Sequence, residues 1–277
     1  MQGPQVEHIS IQKINAGEIT EAEDKVAVEE PLEIQLAYSS STGRMQKSIA
    51  VTMRTPGHDE ELAAGFLFTE GVIKNNEAIA GIKRSHTDEN QVLVELKENV
   101  QPVLFNAARN FYSTSSCGIC GKASIEAIRI VSQYADVKDH ISINSSLLYS
   151  LQDTVKKQQQ VFEETGGIHA SALFAADGNF IMLREDVGRH NALDKIIGAA
   201  LMNDQLPLNN CLLFLSGRAS FELLQKAAVA GIKIVAAVGA PSSLAVEMAK
   251  EQNITLVGFL KSYRFNIYSG KERISLK

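Results

Sequence analysis

The sequence predicts a mixed α/β protein, α+β overall, in which a strand-rich first half precedes a three-layer α/β/α second half. Three observations predict it. Between residues 24 and 97, short runs alternate apolar and polar residues and are separated by turn residues, the pattern of half-buried strands. After Gly166-Gly167 the pattern becomes a hairpin, a helix, then three apolar strands alternating with two helices, which builds a sheet with a parallel portion covered on both faces. The length, 277 residues with 45% hydrophobic side chains, allows one large or two modest domains and a sizeable core.

Residues 1 to about 20 are polar and unpatterned and read as a loose arm. Residues 24–38 read as two short strands interrupted by Pro31, residues 39–43 as a turn, and 46–53 as another strand. Thr55-Pro56-Gly57-His58 opens a helix. Asp59, Glu60 and Glu61 complement the positive end of its dipole, Leu62, Phe66 and Leu67 form its buried face, and Gly71 suits its cap. Residues 79–85 and 91–97 form a predicted hairpin around 87–90, and the strand-rich block runs to about Phe111. A helix is predicted from Gly121 to about Ala135. A second, from Ser145 to about Glu164, carries Leu147, Leu148, Leu151, Val155 and Phe162 and is stopped by Gly166-Gly167. Strands at 168–175 and 180–184 join through Asp177-Gly178-Asn179, a strong hairpin turn. Helices at 188–202, about 218–230 and 242–252 then alternate with strands at 211–215, 232–238 and 254–260, the last clear strand. The domain reading is 1–115 strand-rich, 116–143 a cysteine loop with a linking helix, and 144–277 a cofactor-binding α/β/α domain.

A net charge of −5 argues against nucleic acid and anionic membranes as partners, so an anionic ligand needs a local basic cluster. Residues 1–23 lack an apolar signal core, no run reaches transmembrane length, and three cysteines do not make a disulfide framework. The expected location is the cytoplasm.

Two of those cysteines stand in Ser115-Ser116-Cys117-Gly118-Ile119-Cys120-Gly121-Lys122. Placed just before a predicted helix N-terminus and beside Lys122, Cys117 and Cys120 sit where unpaired N–H groups and positive charge favour the thiolate. A zinc reading needs two further ligands that Cys211 and scattered histidines do not supply at usual spacing. A thioredoxin-type reading needs a strand feeding the motif in a βαβ unit. Most weight falls on a mobile sulfur carrier or nucleophile, one cysteine holding the transferable group and the other assisting or taking it over. Cys211, in an apolar strand, reads as packing.

The second half repeats the element order of the zinc deaminases, a hairpin followed by a helix bearing H-x-E and a strand followed by P-C-x-x-C. Here His190-Asn191-Ala192 has alanine in place of the proton-shuttling glutamate, and Ser216-Gly217-Arg218-Ala219-Ser220 has no cysteine. The scaffold therefore resembles a cytidine deaminase with no zinc site. What remains is a set of strand-to-helix turns, at 216–218 and 239–243, whose N–H groups and hydroxyls suit a phosphate, with ordinary capping as the simpler reading of each. Phe259-Leu260-Lys261-Ser262-Tyr263-Arg264 brings cations and aromatics to the same edge, suited to phosphate pairing and ring stacking.

Residues 114–122, 166–171, 185–195, 216–220 and 258–264, in that order, together closely resemble the FdhD family of sulfur carrier proteins required for formate dehydrogenase activity. The likeness extends to Arg54–Asp59 and Phe66–Gly71. The resemblance implies a sulfurtransferase in which a cysteine desulfurase loads Cys117 with a persulfide, Cys120 assisting. The acceptor would be the bound molybdenum cofactor, in its bis-guanine-dinucleotide form, before it enters formate dehydrogenase. Phe259, Leu260, Lys261, Ser262, Tyr263 and Arg264 match the family's cofactor-binding segment. Arg189, His190, Ser216 and Arg218 join them on the helix-start argument. The alternative is a chaperone that binds the cofactor or a guanine nucleotide without using the cysteines. Apolar helix faces in both domains suit a homodimer.

Overall fold

The computed structural model describes residues 3–41, 43–85, 88–104, 111–112 and 130–276. Its first element contradicts the loose arm. Strands β1 (Val6–Asn15) and β2 (Glu18–Ala27) pair antiparallel over their full length. Ala16 and Gly17 both take positive φ, 49° and 94°, the two-residue turn whose twist matches a hairpin. Both faces of this ribbon are largely exposed, so no alternation marks it in the sequence.

β3 (Glu30–Ser40) and β4 (Gly43–Arg54) form the long central hairpin of a five-stranded sheet. β5 (Ile79–Arg84), β6 (Gln91–Leu96) and the short β7 (Phe111–Tyr112) complete it in the order β5-β6-β3-β4-β7. Leu32, Ile34 and Leu36 on β3 and Val92, Val94 and Leu96 on β6 are fully buried on one face, as period-two alternation requires. Helix α1 (Asp59–Thr69) lies on that face.

The second half begins with β8 (Ile143–Asn144), α2 (Ser145–Lys156) and α3 (Gln160–Thr165). The sequence predicts one helix here. The structure breaks it at Gln159 because the Glu185 carboxylate accepts from the N–H groups of Val161 (3.0 Å) and Phe162 (2.9 Å) and starts a new helix end. β9 (His169–Ala175), β10 (Phe180–Asp186), α4 (Arg189–Met202), β11 (Cys211–Leu215), α5 (Phe221–Val229), β12 (Ile234–Ala237), α6 (Ser243–Glu251) and β13 (Thr255–Lys261) follow. Two strands lie beyond the predicted last one: β14 (Arg264–Ser269), which folds back on β13 through Ser262-Tyr263, and β15 (Ile274–Ser275), which pairs with β8. The six-stranded order is β10-β9-β11-β12-β13-β14, with β11, β12 and β13 mutually parallel.

Phe174, Phe214, Ile234 and Val257 face one core with α2; Leu173, Leu213, Val235 and Leu256 face another with α4, α5 and α6. That second core is continuous with the buried face of the five-stranded sheet, so α1 and α4 are pressed together between the two sheets. Of the helix predicted at 121–135, residues 130–135 are irregular chain and turn, and the rest lies outside the described residues. None of the described helices is long and apolar enough to cross a membrane.

Candidate functional site

Parallel strands followed by helices leave their turns at the carboxyl edge of a sheet. Here the turns after β11 and β12 are laced together. Gly239 N–H donates to Gly217 O at 3.0 Å, Ala219 N–H to Ala240 O at 3.2 Å, and Ser242 N–H to Ala219 O at 3.0 Å. The lacing requires glycine at 239, since a Cβ there would lie 2.9 Å from the backbone nitrogen of Arg218. It also delays α5 to Phe221, three residues beyond its predicted start. Phe259 N–H donates to Gly239 O at 3.1 Å and adds the end of β13 to the stack. Phe259 is held there at φ 52°, a left-handed conformation that costs a bulky side chain energy and is tolerated where the surroundings over-determine it.

The antiparallel hairpin reaches the same edge from the other direction. β9 begins there with His169, and β10 ends there with Asp186, which Val187 follows. Ser216 anchors it: its hydroxyl accepts from Ala170 N–H at 2.8 Å, and its own N–H donates to Ala170 O at 3.0 Å. His169 faces Arg189 and Arg218; burial first, then those two charges, lowers its pKa. Between this edge and α2–α3 lies a cavity of about 590 Å³, lined by Gln152, Val155, Lys156, Gln159 and Phe162 from the helix side and by Ile168, His169, Val187, Ser216 and Val238 from the sheet.

The expected site residues thus divide. Ser216 lines the cavity, and Arg189 and Arg218 stand near its His169 wall. His190 turns toward α5, its Nε2 lying 3.3 Å from Ser220 Oγ and 3.9 Å from Glu222. Leu260 is buried and its carbonyl accepts from Gln152 Nε2 at 2.9 Å, tying the β13–β14 tip to the cavity's helix wall. Lys261, Ser262, Tyr263 and Arg264 form that exposed tip, with the Arg264 guanidinium 5.8 Å from the Tyr263 ring. The Ser242 hydroxyl caps α6 by accepting from Ala245 N–H, the ordinary role. Cys211, half-buried at the opposite end of β11, packs against the core, and burial pushes its thiol up. Sequence reasoning missed His169, although it lies within Gly166–Ser171; only the antiparallel pairing of β9 with β11 brings its start to the edge.

Cys117 and Cys120 lie outside the described residues. The chain on both sides of 113–129 heads for this edge. β7 runs parallel to β4, whose last residues meet α4: Asn191 Nδ2 donates to Met53 O at 2.7 Å. On the far side, Ser132 Oγ donates to Ala228 O, and Ile130 N–H to Gln225 Oε1 at 3.2 Å. Read backward, these contacts step along α5 toward its first turn beside His190.

Burial first, then Lys226, Arg189 and His169, depresses His190 from its ordinary 6.5 to about 3. Below pH 6.5 the unfolded chain therefore binds a proton that the native ring refuses, and stability falls as pH drops from about 6.5 toward 3. A His190→Gln variant is expected to lose this part of the slope, at most about 1.4 kcal/mol per pH unit. Urea midpoints at several pH values across that window read it.

Comparison with known proteins places this arrangement in a class. The FdhD/NarQ family profile matches residues 27–275, and the chain belongs to that family. A protein of Mycolicibacterium paratuberculosis called sulfur carrier protein FdhD is 46% identical over 268 residues, spanning 94% of this chain and 96% of that one. A protein of Streptomyces coelicolor with the same description is 45% identical, spanning 99% and 98%. The crystal structure of a protein of Desulfotalea psychrophila described as a formate dehydrogenase accessory protein matches with a TM-score of 0.73 at 25% identity, over 98% of this chain and 100% of that one.

Proposed function

We propose that this chain is a cytoplasmic sulfurtransferase serving formate dehydrogenase. Cys117 receives sulfane sulfur from a cysteine desulfurase as a persulfide, and Cys120 assists its release. The acceptor is the molybdenum cofactor in its bis-guanine-dinucleotide form, bound as substrate before insertion into the enzyme. The observation that carries the reading is the course of the chain around residues 113–129, whose described flanks both lead to the edge bearing Arg189, Ser216 and Arg218. Membership of the FdhD/NarQ family and the description of the relatives as sulfur carriers support it.

The division of labour follows the proposed domains. Residues 144–277 act as a cytidine-deaminase-like scaffold, a reading supported by the order β9, β10, α4, β11, α5 with helix starts at one edge. With Ala192 where a deaminase needs its glutamate, that edge binds rather than hydrolyses. Arg189 and Arg218 oppose the phosphates, while Phe259, Tyr263 and Arg264 at the neighbouring tip offer stacking and a phosphate-pairing cation. Residues 1–115 and 116–143 present the dithiol to it. A persulfide is a reversible load on an accessible thiolate, which fits transport between two partners.

Incubation with a cysteine desulfurase and cysteine, followed by intact-mass and peptide analysis, tests the reading. One or more added sulfur atoms are expected, removed by cyanide and mapped to Cys117 or Cys120. A protein that acquires no cyanide-labile sulfur on either residue defeats it.

A further inference from the structure

We propose a second, oxyanion-binding site at the opposite, amino edge of the six-stranded sheet, in a cavity of about 350 Å³ where Lys233 receives the anion. Lys233 immediately precedes β12, and its carbonyl accepts from Thr255 N–H at 2.8 Å, so its backbone is fixed by the sheet. Its side chain lines the cavity, and the residue is only 5% exposed. Among the described residues it makes no hydrogen bond and no ion pair.

Two other lysines buried among the described residues have direct partners. Lys195 meets Asp186 at 2.7 Å and Lys226 meets Asp194 at 2.9 Å. The nearby acid makes no hydrogen bond to Lys233 and acts on it only through its charge, because Arg273 holds it: Nε and one terminal nitrogen of Arg273 grip the two oxygens of Asp139 at 2.9 and 3.0 Å. The remaining terminal nitrogen of Arg273 reaches Asn253 and Thr255, both at 3.4 Å. Arg273 is therefore satisfied, and its charge faces Lys233 rather than relieving it. Burial lowers the Lys233 pKa, Asp139 opposes that, and Arg273 adds to it. An ammonium whose neighbouring carboxylate is already committed to a guanidinium is left without a hydrogen-bond acceptor, and an entering oxyanion supplies one.

The other cavity walls set the ligand class. Lys138 stands at the exposed rim beside Asp136 and His140, and an anion with two or more acceptor oxygens can bridge Lys138 and Lys233. The volume exceeds that of inorganic phosphate, which leaves room for a small phosphomonoester or dicarboxylate. Bound there, it would join residues 135–140 to the starts of β12 and β13. The proposal stands independently of sulfur transfer.

Thermal unfolding of the full chain against inorganic phosphate, glycerol phosphate and succinate, at ionic strength held constant with chloride, tests it. A saturable rise in Tm is expected with at least one of the three, and the tightest identifies the source of the oxyanion. Lys233→Met should weaken the response by about tenfold or more. Lys138→Ala, a rim change that leaves the core untouched, should weaken it by roughly threefold. No saturable response in the parent, or a full response in Lys233→Met, overturns the proposal.

Discussion

Replacing Cys117 with alanine is expected to abolish sulfur loading and to lower formate dehydrogenase maturation by roughly three orders of magnitude or more, the usual consequence of deleting a nucleophile. The expectation rests on chemistry that no neighbouring residue can replace. A sulfane sulfur is carried only by another sulfur, and Cys211, the remaining cysteine outside the motif, is half-buried at the far end of β11 with its thiol pushed up by burial. A buried, protonated thiol is a poor acceptor of sulfur. Cys120→Ala should separate the two roles: it retains a loaded Cys117, visible by mass, while release to the acceptor slows. Both variants should bind guanine nucleotide as the parent does, since the basic edge belongs to β9, α4 and β11. If Cys117→Ala supports maturation at the parental level, the protein is a cofactor-binding chaperone and the dithiol is incidental.

The fold was legible wherever one face of an element is buried and the other is not. Val92, Val94 and Leu96 are fully buried beside half-buried neighbours, so β6 announces itself; the two-faced ribbon of β1 and β2 does not. The break between α2 and α3 depends on Glu185, which reaches residues 161 and 162 only after β10 has paired with β9, so no local pattern records it. For the site, strand-to-helix turns made Ser216 and Arg218 readable, because their place at the sheet edge follows from local order. His169 required the antiparallel register, and the left-handed Phe259 required the lacing of Gly239 to its neighbours. Sequence finds residues whose position is local; those positioned by pairing emerge only in three dimensions.

The largest effect on stability is expected from Gly198→Ala or Gly65→Ala, where the two halves of the molecule meet. These glycines lie on α4 and α1 at the point where the helices cross. A Cβ on Gly65 would overlap the carbonyl oxygen of Asp194, and one on Gly198 that of Glu61. The obstacle in each case is helix backbone, which cannot rotate away as a side chain can, so the helices must separate. Separation would also disturb polar contacts buried along the same seam. Thr69 donates to Asp194 at 2.8 Å, Lys195 donates to Thr55 O at 2.9 Å, and Arg184 pairs with Glu61 through two bonds of 2.6 and 2.8 Å. Overpacking alone usually costs about 1–3 kcal/mol, and partners lost from buried charges add to it. Either substitution is therefore expected to cost more than about 3 kcal/mol, a large fraction of the roughly 5–15 kcal/mol that holds an ordinary domain folded. Gly81→Ala on β5 is the matched control, because a Cβ there would meet only the Glu95 carboxylate, at an ordinary 3.7 Å. Its urea midpoint should stay at or slightly above the parent's. Should Gly198→Ala unfold within about 1 kcal/mol of the parent, the helix crossing tolerates a Cβ and close backbone packing is not what stabilises it. The buried seam between the sheets would then not be what holds the two halves together.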